Sequence, residues 1–244
     1  EIYTRSLRRQ RQMCIRDSLF DAQILAQNII NGADSFPLLA VPFFMLAGEI
    51  MNVGGLSRRI VELALSVVGH VRGGLGYVTI MAGCLLAALS GSAVADAAAL
   101  TALLLPMMGK AGHDRARSGG LIAATGIIAP VLPPSIGLII FGVAANVSIS
   151  KLFMAGIAPG LMIGAALWFT WWWLVRKETI VPPPRQPRAV VIKALRDSAW
   201  ALMLPVIILV GLRMGVFTPT EAAVVAAMYA LFVSTVVYRE LKLR

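Results

Sequence analysis

The chain has 244 residues, of which 58% are hydrophobic and only 14% charged, with a formal net charge of +10. A soluble domain carries about 25% charged residues, so this composition excludes a water-soluble globule, a disordered tail and a disulfide scaffold. It points to an all-α polytopic membrane protein. The basic residues lie between long apolar runs rather than on one soluble face, which argues against nucleic acid and for the lipid bilayer as partner. Two cysteines, Cys14 and Cys84, form neither a framework nor a metal-ligand spacing.

Residues 1–18 hold five basic residues and no apolar run, and are expected to be an extraneous or disordered N-terminal segment. Residues 19–74 read as a scaffold span, with its apolar run from Phe36 to Met51, followed by an interfacial helix. In that helix Arg58, Arg59 and Glu62 take the polar face. Residues 75–146 read as a hairpin followed by a proline-broken helix. Residues 147–176 form a span, from Leu152 to Val175, ending in Trp168 and Trp171 to Trp173, read as an aromatic belt. Residues 177–198 read as a basic, proline-rich linker. Residues 199–244 hold two further spans, the last opening with the capping box Thr218-Pro219-Thr220-Glu221.

Alternating these segments across a bilayer puts fifteen basic residues on one side and only Lys151 and Arg213 on the other. The richer side is expected to be cytoplasmic, with the linker 177–198 and the C-terminal end on it. Arg72 and Lys110 then share a side, although everything between them is apolar. Two full spans need roughly 20 residues each. Arms of about 15 residues rise roughly 22 Å, short of a core about 30 Å thick. The expectation is a re-entrant hairpin with Ser90-Gly91-Ser92 at its tip and Asp96 one turn beyond.

Such a tip leaves backbone groups without helical partners, tolerated at membrane depth only where protein or water surrounds them. The end of the first arm presents carbonyls, which suit Na⁺; the start of the second presents N–H groups, which suit a carboxylate. Ser90 or Ser92 can also cap the second arm. The broken helix supplies a matching element. Pro130, Pro133 and Pro134 remove donors and displace their predecessors from helical geometry, and Ser135 can cap a helix restarting at Ile136.

Asp96 reads as a cation or proton ligand, or as a carboxylate neutralised by local hydrogen bonds. Glu49 reads as interfacial, His70 and His113 as solvated loop residues, and Cys84 as a small apolar residue of the first arm. An intramembrane protease lacks a histidine in a span or a second carboxylate beside Asp96. A channel would need a continuous polar helix face rather than two breaks. No nucleotide-binding loop pattern accompanies these features.

The stretches FPLLAVPFFMLAGEIMNVGGLSRRIVELA, GHVRGGLG, LSGSAVADAAAL, PPSIGLIIFGVAANVSISKLFMAGIAPGL and FTPTEAAVVAAMYAL occur here in order. Together they resemble the large, DctM-like permease subunit of TRAP (tripartite ATP-independent periplasmic) transporters, from about Leu19 to Arg244. The resemblance implies a non-enzymatic, elevator-type secondary transporter of the bacterial inner membrane, with no cofactor and Na⁺ as coupling ion. It implies import of organic acids such as C4-dicarboxylates, sialic acids or other sugar acids. Its implied partners are a small permease subunit and a periplasmic substrate-binding protein. Carried onto this chain, the implied Na⁺ positions are Ser90, Gly91, Ser92, Pro133, Pro134 and Ser135. Ser92 and Ala93 would face substrate, with Asp96 as polar support. The family carries a second inverted repeat, expected beyond Arg244 in a longer reading frame. A binding-protein-independent elevator transporter of anions is the alternative.

Overall fold

The computed structural model describes residues 34–176 and 184–241, together with Ala26, Gln27 and Ile30. The N-terminal arm 1–18 and part of the linker lie outside the described residues. Every regular element among the described residues is helical. A short turn, Phe36–Leu39, leads into α1 (Ala40–Val53), α2 (Leu56–Val68), α3 (Gly74–Ser90) and α4 (Ala93–Lys110). There follow α5 (Arg115–Gly126), α6 (Ile136–Ala144), α7 (Ile149–Val175), α8 (Arg188–Arg213) and α9 (Pro219–Phe232), which runs on into a wider turn at Val233–Val237. Among the described residues, five helical stretches are long and apolar enough to cross a membrane: Phe36–Val53, α4, α7, α8 and Pro219–Val237.

Helix α3 sits at the centre, packed on α1, α2, α4, α5, α7 and α8. Its burial explains its sequence: Gly76, Thr79, Gly83 and Ala87 are all covered, and such small residues let neighbouring backbones approach. Helix α9 lies along α1 through Ala222, Ala223, Ala226, Ala227 and Ala230, all buried, on the same principle. The capping box at Thr218 and Glu221 forms as the sequence predicts. The hairpin and the break also appear where expected, although the arms of 17 and 18 residues exceed the anticipated fifteen. They rise about 26 and 27 Å.

Several expectations are corrected. Helix α8 begins at Arg188, directly after Pro187, rather than at Ala199. Apolarity marks where a helix enters lipid, not where it starts, and no proline or glycine interrupts 188–198. Arg59 is not on a free polar face. Its guanidinium pairs with Glu240 (Nη2 to Oε1, 2.6 Å) and lies 3.7 Å over the Tyr238 ring, while Arg58 and Glu62 remain exposed and paired at 3.0 Å. Trp171 is 2% exposed rather than part of a lipid-facing belt, and its indole N–H donates to Gly73 O at 2.9 Å. His113 is buried beside it, with ring centroids 5.6 Å apart. His70 is not simply solvated: its Nδ1 is buried.

Candidate functional site

Helix α3 ends at Ser90 because Gly91, at φ +61°, takes the left-handed conformation that closes a helix at little cost only for glycine. The chain turns through Ser92 in extended geometry, and α4 begins at Ala93. The Ser92 hydroxyl accepts from Ala95 N at 3.4 Å, the capping role. Ser90 does something else. Its hydroxyl accepts from Ser92 N at 3.1 Å and donates to Asp96 Oδ1 at 2.5 Å. Asp96 is 5% exposed, and its other oxygen has no hydrogen-bond partner among the described residues. Asp96, Ser90, Asn52 and Ser57 line a cavity of about 10 Å³, room for about one water-sized species. Of the two readings of Asp96, hydrogen bonding thus accounts for one oxygen only.

The second break has the form expected from its prolines. Helix α5 ends at Gly126, and residues 127–134 are non-helical. The Pro133–Pro134 bond is cis. Ser135, fully buried, caps α6 by accepting from Leu138 N at 3.3 Å and donates to Pro130 O at 2.6 Å. No backbone N–H among the described residues reaches the carbonyls of Val131, Leu132, Pro133 or Pro134. Helix unwinding has therefore exposed acceptors, as a cation site needs.

The structure joins these breaks. A methyl group on Gly91 would overlap the Pro134 carbonyl oxygen and stand 3.1 Å from Ser135 Cα. The tip backbone is thus seated directly on the break backbone. The first turn of α4 is close by, since a Cβ on Gly126 would lie 3.2 Å from Ala93 O. Of the positions singled out from sequence, Gly91, Pro134 and Ser135 converge directly. Ser90, Ser92 and Asp96 form the adjoining network, and Ala93 flanks it. Pro133 is buried next to Pro134, and its ring faces α7 at Gly156.

Sequence reasoning missed contributors from α1, α2 and α7. Gly48 of α1 packs against Ser90, where an added Cβ would lie 3.4 Å from Ser90 Cβ. Asn52 and Ser57 bring polar groups to the Asp96 cavity from outside the hairpin. Of the stripe Gly156, Gly160 and Gly164 on α7, the first two seat the break, where a Cβ on Gly160 would lie 2.7 Å from Leu132 Cδ1, and Gly164 faces Cys84 of α3. The i, i+4, i+8 spacing of the stripe was the available signal. An apolar groove of about 800 Å³ beside Cys84, Trp168 and Phe169 stands apart from this junction.

Residues 10–244 match the family described as tripartite ATP-independent periplasmic transporter, DctM component. The match reaches into the N-terminal arm, upstream of Leu19. The 2,3-diketo-L-gulonate TRAP transporter large permease protein of Escherichia coli is 60% identical over 223 residues, covering 91% of this chain and 52% of that protein. A sialic acid TRAP transporter large permease protein of Vibrio cholerae is 46% identical over 219 residues, covering 90% and 51%. A C4-dicarboxylate TRAP transporter large permease protein of Pseudomonas aeruginosa is 39% identical over 219 residues, also covering 90% and 51%. The chain spans about half the length of these relatives.

Proposed function

The chain belongs to the DctM component family of tripartite ATP-independent periplasmic transporters, and from that premise we propose that it works in the large permease subunit of a Na⁺-coupled importer of organic acids. The substrate class is sugar acids, because the relative at 60% identity is named for 2,3-diketo-L-gulonate. A periplasmic binding protein delivers the acid, and a small permease subunit completes the membrane assembly in the bacterial inner membrane. No cofactor takes part; the ion gradient drives the step.

One observation carries this reading: the tip of the hairpin rests on the break of α5–α6, at Gly91 and Pro134. Two interrupted helices meeting inside a protein bring carbonyl ends together, which is how secondary transporters hold Na⁺. Ser90 retains a lone pair after donating to Asp96 and accepting from Ser92 N. Ser135 likewise retains one. These hydroxyls and the Pro133 and Pro134 carbonyls are the proposed Na⁺ ligands. The first turn of α4 behind Ser92 and Ala93 offers the positive end of its dipole to the substrate carboxylate. Neutralising the junction with Na⁺ would strengthen that end, coupling ion and acid.

The test is sugar-acid uptake by vesicles containing the intact permease, its small partner and the binding protein. Replacing external Na⁺ with choline is expected to abolish uptake in the wild type. Ser90→Ala and Ser135→Ala are each expected to raise the Na⁺ concentration needed for half-maximal uptake about tenfold, the loss of roughly one charge-assisted contact. Unchanged Na⁺ dependence in both variants would remove these ligands from the account.

A further inference from the structure

Away from the hairpin, α8 runs back along α2. The buried Ser198 hydroxyl, well inside α8, donates to Arg59 O in the first turn of α2 at 2.9 Å, and the start of α8 lies beside the end of α2. Between them is a cavity of about 530 Å³. Its lining includes His70, Arg185 and Arg188, with Val67, Val191 and Ile192 as apolar wall, and no acidic residue among the described residues. The Nδ1 atom of His70 is buried and has no hydrogen-bond partner among the described residues. Helix α8 starts from Pro187, whose side chain makes no cap, and has no acid in its first turn. Its leading N–H groups therefore add partial positive charge at the same mouth.

We propose that this basic cleft binds the headgroup of an anionic phospholipid. The lining supplies what a phosphate requires: two guanidinium groups beside a helix N-terminus. The surroundings select a lipid over a soluble anion. Ile192 and Leu195 are 66% and 51% exposed on the stretch of α8 that leads from the cleft to its more apolar half. Lys193 and Arg196 are interleaved with them and exposed. Acyl chains would cover the former while the cations stay at the headgroup level. The inference does not depend on the transport reading, because neither the tip nor the break contributes to the cleft.

The test is native mass spectrometry of the intact permease in detergent, titrated with phosphatidylglycerol or with phosphatidylcholine of the same acyl chains. The wild type is expected to retain phosphatidylglycerol selectively. The double variant R185Q/R188Q is expected to weaken it by more than tenfold, about fivefold per arginine. Arg213→Gln, at the far end of α8, is expected to leave it unchanged. If the double variant aggregates, Arg185→Gln alone carries the reading with its fivefold change. Equal affinity for both lipids, or equal retention by wild type and variants, would overturn the proposal. So would inorganic phosphate displacing phosphatidylglycerol completely at millimolar concentration, which would make the cleft a site for a soluble anion.

Discussion

Gly91 shows how one residue can hold two elements together. Its positive φ ends α3, and its missing side chain admits the Pro134 carbonyl. Alanine there meets both obstacles: the left-handed conformation costs about 1–2 kcal/mol, and the added methyl displaces buried backbone. Gly91→Ala is therefore expected to lower the melting temperature of the intact permease in detergent by several degrees. It is also expected to weaken Na⁺ dependence of uptake more than Ser92→Ala does. An unaltered melting temperature would show that the tip does not sit against the break. Serines around Gly91 have separate duties despite their shared chemistry. Ser92 spends its acceptor on a cap, whereas Ser90 links the tip to Asp96. The Ser-Gly-Ser spacing foretold a tip, but not which hydroxyl would face the carboxylate. That choice depends on a side chain six residues on, brought back by the first turn of α4.

At the scale of elements, the hairpin and the broken helix were legible because their signals are local. Three prolines within five residues break a helix, where single ones such as Pro106, Pro159 and Pro205 are accommodated inside α4, α7 and α8, and a capped restart needs only Ser135 ahead of an apolar run. The seat for the break was less legible, because it lies on α7. Gly156 shows the dependence: a Cβ there would stand 2.5 Å from Val131 O. Gly156→Val is expected to destabilise the permease by about 1–3 kcal/mol, as overpacking does. Met162→Leu, on an exposed face of the same helix, is expected to be neutral in the same thermal melts. Helix α5 offers a pH test outside the spans. Asp114 accepts from Ala116 N at 2.7 Å and Arg117 N at 3.0 Å. Those backbone donors, Arg117 first, hold its carboxyl below the ordinary carboxylate range. A depressed folded pKa means stabilisation that is present above the unfolded value, about 3.9, and lost as pH falls through the folded one. Asp114→Ala is expected to lower the melting temperature at pH 7, with the gap to wild type closing below pH 4. A gap independent of pH would contradict the charge-assisted cap.

For the whole molecule, composition sufficed to name a polytopic helical membrane protein, since a chain with so few charges must place its apolar surface in lipid. What it could not supply were long-range closures: Trp171 onto Gly73, Arg59 onto Tyr238 and Glu240, and the tip onto the break. Each joins residues far apart in the chain, and nothing in a local window distinguishes a buried tryptophan from one at a lipid interface. These closures hold α3 in the centre, carry its end to the prolines and leave buried carbonyls without backbone donors. The central claim is that this junction binds Na⁺. The most direct measurement is equilibrium binding of radioactive Na⁺ to the purified intact permease, without substrate, in a choline background. The account predicts saturable binding that K⁺ does not displace and that Ser135→Ala weakens about tenfold. Binding that fails to saturate, or that survives Ser135→Ala and Ser90→Ala unchanged, would contradict it.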